Sequence, residues 1–364
     1  MLTAGWNGPA DILRYRRIAT PLVFGADPAN RGVPPPTRVS AADLPLLIQQ
    51  ARAHTVLPAV LRNLWLLAES EPGYDEVLSG AAEHARLLAA HSLMLRGFAD
   101  ALTGDLAGEP VTLVKGLAFA RAIYPDTQLR PFTDIDLLIA PQAMPRVEEV
   151  LGARGFAFIE RDMFGTAKWG HRQNRNLMVE LQRNLVQSRR LQPKLSLSFD
   201  DLAIVGPGKP AAHLMVAVIH GAAQHQFENL RQVVDILQAA RGIASAADEE
   251  QLEKLVARTG GRLAAVASLN LAWRIFGEPR CRELARGLGP AHYGLAARLL
   301  LNRAAILSTS TQLDVCYRWR RHGLRELLKF RAIFAAPRSA NGQRPSPTPR
   351  DAARLPATHQ GEQP

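Results

Sequence analysis

Cysteine is nearly missing from this chain. Cys281 and Cys316 are the only two in 364 residues, far apart in helical-looking sequence, which disfavours a disulfide framework and leaves too few thiols for a zinc site of their own. Long apolar runs are missing as well, since Arg, Asp or Glu interrupts every stretch before the roughly 18 residues a membrane span requires. The first thirty residues contain Trp6, Asp11, Arg14, Arg16 and Arg17 without a continuous apolar segment, so no secretory signal is read there. These absences predict a soluble, cytoplasmic protein with free thiols and no membrane span. Lysine is also rare, at 6 against 38 Arg, and none precedes residue 115.

The 47% hydrophobic content of the chain is enough for a sizeable core, and its length suits a catalytic domain with helical companions. The net charge of +11 invites a nucleic-acid reading, but +7 of it falls after residue 317. The folded body is therefore only mildly basic. Nucleic acid remains possible through the C-terminal tail, although a solvated tail is the favoured reading.

Composition divides the chain into five stretches. Residues 1–40, with Pro9, Pro21, Pro28 and Pro34 to Pro36, read as an irregular wrapping segment. Residues 41–104 read as a helical region, with Ser40 as N-cap, one helical stretch from Ala41 to about Ala68 and another from about Asp75 to Leu102. Residues 105–205 contain an α/β unit: strands at Val111–Val114, Ile135–Ile139, Phe156–Ile159 and Leu177–Leu181, with helices at Leu117–Tyr124 and Pro141–Arg154. Residues 206–336 are helical again, with candidates near 210–225, 228–242, 247–258, 261–276, 279–302 and 312–335. The stretch 337–364 lacks apolar periodicity and reads as a disordered basic tail. The predicted class is α+β, a small sheet with helices flanked by N- and C-terminal helical regions.

The Asp134-Ile135-Asp136 triplet opens an otherwise apolar strand. Strand alternation puts both carboxylates on one face, about 7 Å apart along the backbone, so that they can share a metal ion. Hard oxygens suit Mg²⁺ or Mn²⁺. A solvated strand edge or pairing with Arg121 or Arg130 is the plainer reading. Asp-x-Asp also occurs in haloacid-dehalogenase-type phosphatases and in glycosyltransferases, but the phosphatase arrangement needs a tight loop after the first Asp, whereas Leu137-Leu138-Ile139 continue the strand. Glu180, between Val179 and Leu181, offers a third carboxylate on a further strand.

The stretch Leu113-Val-Lys-Gly-Leu-Ala-Phe-Ala-Arg-Ala-Ile-Tyr124-Pro125, followed by Arg130-Pro-Phe-Thr-Asp134-Ile-Asp136-Leu-Leu-Ile139, resembles the uncharacterised nucleotidyltransferases, a branch of the polymerase-beta-like nucleotidyltransferase superfamily. The resemblance covers roughly residues 110 to 182, with a weaker echo through His213 to Ala239. It implies a metal-dependent enzyme that transfers a nucleoside monophosphate from a nucleoside triphosphate to an unknown hydroxyl-bearing acceptor, a small molecule, peptide or protein. Asp134 and Asp136 would hold the metal ions, Glu180 would bind a second metal or take the acceptor's proton, and the Gly116 backbone would cradle phosphate at a helix N-terminus. Where relatives carry His two positions after the last acid, this chain has Gln182. The alternatives are a catalytically inactive nucleotide-binding or partner-binding protein, or the transferase-like half of a toxin-antitoxin pair.

Other polar residues carry weaker signals. Lys115, beside the expected phosphate loop in a chain where Arg is the default cation, reads either as a point charge for the triphosphate or as a surface residue. Arg130 reads as a phosphate ligand or a partner of the aspartates. His213, His220 and His225 read mainly as buried or surface histidines, Arg231 and Asp235 as an intrahelical ion pair, and Trp169 and His171 as structural residues that could alternatively lie near the base.

Overall fold

In the computed structural model of the chain, the described residues are 9–30, 39–68, 74–162, 165–187, 192–225, 227–290 and 306–307. Chain order begins with four helices: α1 (Pro9–Ala26), α2 (Leu44–Ala53), α3 (Leu57–Ala68) and α4 (Tyr74–Asp105). The helix α1 corrects the expectation of an irregular segment. Pro9 sits at the helix start, where its missing N–H costs nothing, and Ile18, Leu22 and Ala26 form an i, i+4 stripe that is fully buried. The single helix expected from Ala41 to Ala68 is two. The chain breaks at Thr55, which takes a positive φ of 55°, and Pro58 then fits the first turn of α3. Ser40 caps the turn before α2, its hydroxyl accepting from the Asp43 N–H at 3.2 Å.

Five strands form one sheet: β1 (Val111–Leu113), β2 (Ile135–Ile139), β3 (Phe156–Arg161), β4 (Ala167–His171) and β5 (Met178–Gln182). Their spatial order is β1-β2-β5-β4-β3, with β2 and β5 parallel and the other pairs antiparallel. Helix α5 (Gly116–Ala122) links β1 to β2, and α6 (Met144–Ala153) links β2 to β3. The sequence reading missed β4. Its run Ala-Lys-Trp-Gly-His lacks strong alternation, and Gly170 occupies a place where a Cβ would fall 2.7 Å from the Ile159 side chain.

The remaining elements are helical: α7 (Phe199–Val205), α8 (Pro210–Ile219), a π-helical turn (His220–Gln224), α9 (Leu230–Arg241), α10 (Ala246–Thr259), α11 (Arg262–Phe276) and α12 (Pro279–Gly287). The second half of the helix expected at 279–302, the candidate at 312–335 and the tail 337–364 lie outside the described residues. Cys281 is buried and free, with its thiol pushed up to about 12 chiefly by burial. No helix among the described residues is long and apolar enough to cross a membrane.

The two faces of β2 join different cores, and this places the site. Ile135, Leu137 and Ile139 pack with α6 and with Leu95, Ala99 and Leu102 of α4, whereas Leu138 joins the large core of the helical regions. Asp136 alternates with Ile135 and Leu137 and shares the Leu138 face. The carboxylates therefore look toward the C-terminal helices. Helix α4 serves both cores, because its first half supplies Tyr74, Leu78 and Ala81 to the helical one. It also fixes the loop before Asp134: the Ser92 hydroxyl accepts from the Phe132 N–H at 3.1 Å and donates to the Phe132 carbonyl at 3.2 Å.

Candidate metal centre and nucleotide site

The parallel register of β2 and β5 sets Asp136 directly opposite Glu180. Asp134 lies one residue before β2, and one carboxylate oxygen from each of Asp134, Asp136 and Glu180 lies within 4.8 Å of the others. Such crowding of like charges at partly buried positions is unfavourable without a counter-ion. Burial, reinforced by the Asp136 charge, pushes the Asp134 carboxyl up to about 6 and that of Glu180 up to about 7. Three hard oxygens on rigid, adjacent strands, short of positive charge, fit a divalent cation.

Two side chains offset part of the excess. Lys115 Nζ lies 2.8 Å from Asp136 Oδ1, and the Gln182 amide donates to the same oxygen at 2.8 Å and more weakly to Glu180 Oε2 at 3.5 Å. Gln182 Oε1 is buried without a hydrogen-bond partner among the described residues. Lys115 is itself buried and holds φ 56° and ψ −140° between β1 and α5, a conformation that side chains other than glycine rarely adopt. Strain of about 1–3 kcal/mol at such a position persists only when the surroundings impose it. Here it turns the ammonium onto the carboxylates. Gly116 follows, packed so closely on Phe132 that an added Cβ would lie 3.1 Å from that ring's own Cβ.

A cavity of about 330 Å³ opens over the cluster, and the sheet side of its wall includes Lys115, Gly116, Asp134, Asp136, Lys168 and Glu180. The opposite wall is helical, with His220 and Gln224 from the π-helical turn, His225 just after it and Arg231 from α9. The extra residue of a π turn distorts the helix and is often found at functional sites. It brings His220 to donate from Nδ1 to Gln224 Oε1 at 2.8 Å, with the His225 ring edge-on at 4.6 Å between centroids. Burial, helped by the Lys115 charge, holds both imidazoles below their usual range, His225 at about 4. Both are thus neutral near pH 7.

The arginines depart from the expected pairing. Arg130, buried, makes a bidentate pair with Asp235, Nε to Oδ1 at 2.8 Å and Nη2 to Oδ2 at 3.0 Å, and Nη1 donates to the Pro131 carbonyl at 3.0 Å. The Tyr124 hydroxyl donates to the same Asp235 at 2.7 Å. Arg130 therefore pairs with neither Asp134 nor Asp136; it lines the same cavity, and its guanidinium holds α9 on the sheet unit through Asp235. Asp235 is consequently not the intrahelical partner of Arg231. Local i, i+4 spacing loses here to a planar fork that meets the carboxylate along both N–H directions. Sequence reasoning missed Arg231 as a cavity residue for that reason.

Trp169 and His171 stay away from the cavity lining. Trp169 packs edge-on against Phe158 and His171 against Phe156, and His171 Nδ1 accepts from the Gln173 and Asn174 N–H groups. His213 does not reach the cavity either.

No curated protein and no solved structure matches this chain. One protein-family model does, over residues 40–277, a span that runs from the first turn before α2 to the end of α11 and contains the whole sheet, the acidic cluster and the helical wall. With more than half of its length matched, the chain belongs to the uncharacterised nucleotidyltransferase family.

Proposed function

We propose that the protein transfers a nucleoside monophosphate from a nucleoside triphosphate to a hydroxyl-bearing acceptor, with Mg²⁺ or Mn²⁺ held by Asp134, Asp136 and Glu180. The observation that carries this reading is the register that sets Asp136 against Glu180 with Asp134 beside them, in a cavity whose other wall is cationic and neutral-polar. A bound dication would supply charge neutralisation at the α-phosphate and favour in-line displacement of pyrophosphate. Lys115 places a compact positive charge beside the phosphates, and the Gly116 backbone lets them approach the start of α5. Glu180, set opposite Asp136 by the parallel register, would bind a second metal or take the acceptor hydroxyl's proton.

A second reading, nucleotide binding without turnover, draws support from Gln182, whose amide sits on the carboxylates where an ionisable group would otherwise be available. One experiment separates the two. Purified protein is incubated with Mg²⁺, labelled triphosphates and cell extract while pyrophosphate release and label transfer are followed. Transfer that disappears in Asp134→Ala supports the enzyme, and metal-dependent binding without pyrophosphate release supports the second reading. If Asp134→Ala leaves triphosphate affinity unchanged, both fail.

A further inference from the structure

Arg231 is a half-buried cation without an ion pair among the described residues. It forms no hydrogen bond or ion pair from its side chain with any described residue, and its Nε is buried and unsatisfied. Asp235, one turn on, has both oxygens taken by Arg130 and Tyr124. The backbone cannot serve as the reason for the side chain's position, because the start of α9 is anchored otherwise: the Leu230 N–H donates to His54 Nδ1 at 3.1 Å and the Arg231 N–H to the His54 carbonyl at 3.3 Å. What exposure Arg231 retains is toward the cavity, facing the wall that holds Gly116, Lys115 and the carboxylates.

A guanidinium partly withdrawn from water without acceptors is unfavourable, and what remains exposed on the cavity can meet a ligand with acceptor oxygens. Asp134 acts on it only at longer range, without an ion pair. A dication on the carboxylates would cancel that attraction and leave the fork for another anion. Lys115, paired with Asp136, serves the sheet side of the cavity. We infer that Arg231 forms an anion subsite on the helical wall that takes the terminal phosphates of a nucleoside triphosphate, the pyrophosphate that leaves. This rests on the nucleotidyltransferase reading and assigns recognition of the leaving group to the C-terminal helical region, while the sheet holds the metal and the α-phosphate. A planar fork with several donors matches phosphate oxygens in pairs, which a lysine cannot do.

The test uses the full chain, with Mg²⁺-tripolyphosphate as the calorimetric probe and Mn²⁺ alone as a separate probe followed by electron paramagnetic resonance. Arg231→Met is expected to weaken tripolyphosphate at least about tenfold, the loss of one or more charge-assisted hydrogen bonds. Mn²⁺ affinity and the melting temperature without ligand stay level or rise, and Arg231→Lys falls between Met and wild type. Unchanged tripolyphosphate affinity in Arg231→Met overturns the inference and leaves the enzyme reading standing. A lowered melting temperature together with lost Mn²⁺ binding also overturns it, since the residue would then be structural. Wild-type protein that binds neither Mn²⁺ nor tripolyphosphate overturns both.

Discussion

Two buried polar clusters lie close together on the helix-facing side of the sheet, and they are balanced differently. Around Asp235, two carboxylate oxygens meet one arginine fork and one tyrosine hydroxyl, and every charge has an opposite within hydrogen-bonding distance. Around Asp136, three carboxylates meet one lysine and one amide, and two of the acids are pushed up toward neutrality. A few residues away, Arg231 is the converse, a cation without an acceptor. Charge withdrawn from water thus has two meanings. A balanced cluster fastens parts of the fold together, while an unbalanced one is complete only with a ligand that brings the missing charges. A metal-bound triphosphate carries both kinds at once.

The sharpest way to break this comparison is to remove the balanced side. Asp235→Ala leaves Arg130 buried without its partner and should cost about 3–5 kcal/mol of unfolding free energy in denaturant titration. A loss below 1 kcal/mol would mean that the Asp235 cluster is not what joins α9 to the sheet unit. The double change Arg130→Met with Asp235→Leu should recover part of that loss, because no lone charge remains.

His54 is a second balanced group, and its effect is read by pH. Its Nδ1 accepts from Leu230 and its Nε2 donates to the Leu307 carbonyl at 3.2 Å, an arrangement that needs the neutral ring. Burial holds it at about 4 against 6.5 unfolded. The unfolded chain therefore binds the proton first. The contribution is complete above about pH 6.5 and is lost as pH falls toward 4, on the order of 3 kcal/mol in all. His54→Gln should flatten that part of the stability profile, and a wild-type profile with no slope there would count against the buried neutral ring.

Gly116→Ala probes the unbalanced side with the smallest expected stability change. Phe132 must yield a few tenths of an ångström, at a cost of about 1 kcal/mol, while triphosphate affinity falls more than stability does. An equal fall in both would make Gly116 a packing residue only.

Much of this was legible in the residues. Val111, Ile135, Phe156 and Val179 lie in runs whose apolar content marks strands, and Asp134, Asp136 and Glu180 stand out because carboxylates interrupt such runs. Strand β4 was not legible, since Lys168, Gly170 and His171 dilute its pattern, although it pairs antiparallel with the strands just before and after it. Helix α1 was hidden by Pro9 and Pro21, which count against a helix until one sees Pro9 at its start and Ile18, Leu22 and Ala26 buried. That Asp235 pairs with Arg130 and not with Arg231 was out of reach because tertiary contact sets it. Which arginine meets Asp235 is decided by how α9 docks, 105 residues from Arg130. The π-helical turn that sets His220 and His225 on the cavity wall has no local sequence signal that was recognised.

The central claim, that the acidic cluster is a cation site and not a strained piece of scaffold, is tested most directly by titrating Mn²⁺ into wild-type protein and Asp134→Ala while following free Mn²⁺ by electron paramagnetic resonance and folding by thermal melts. The account predicts Mn²⁺ binding by the wild type, at least tenfold weaker binding by the variant, and a metal-free melting temperature for the variant that is equal or higher because a crowded like charge is gone. Equal Mn²⁺ affinity in the two proteins, or a variant that binds less only because it no longer folds, would contradict it.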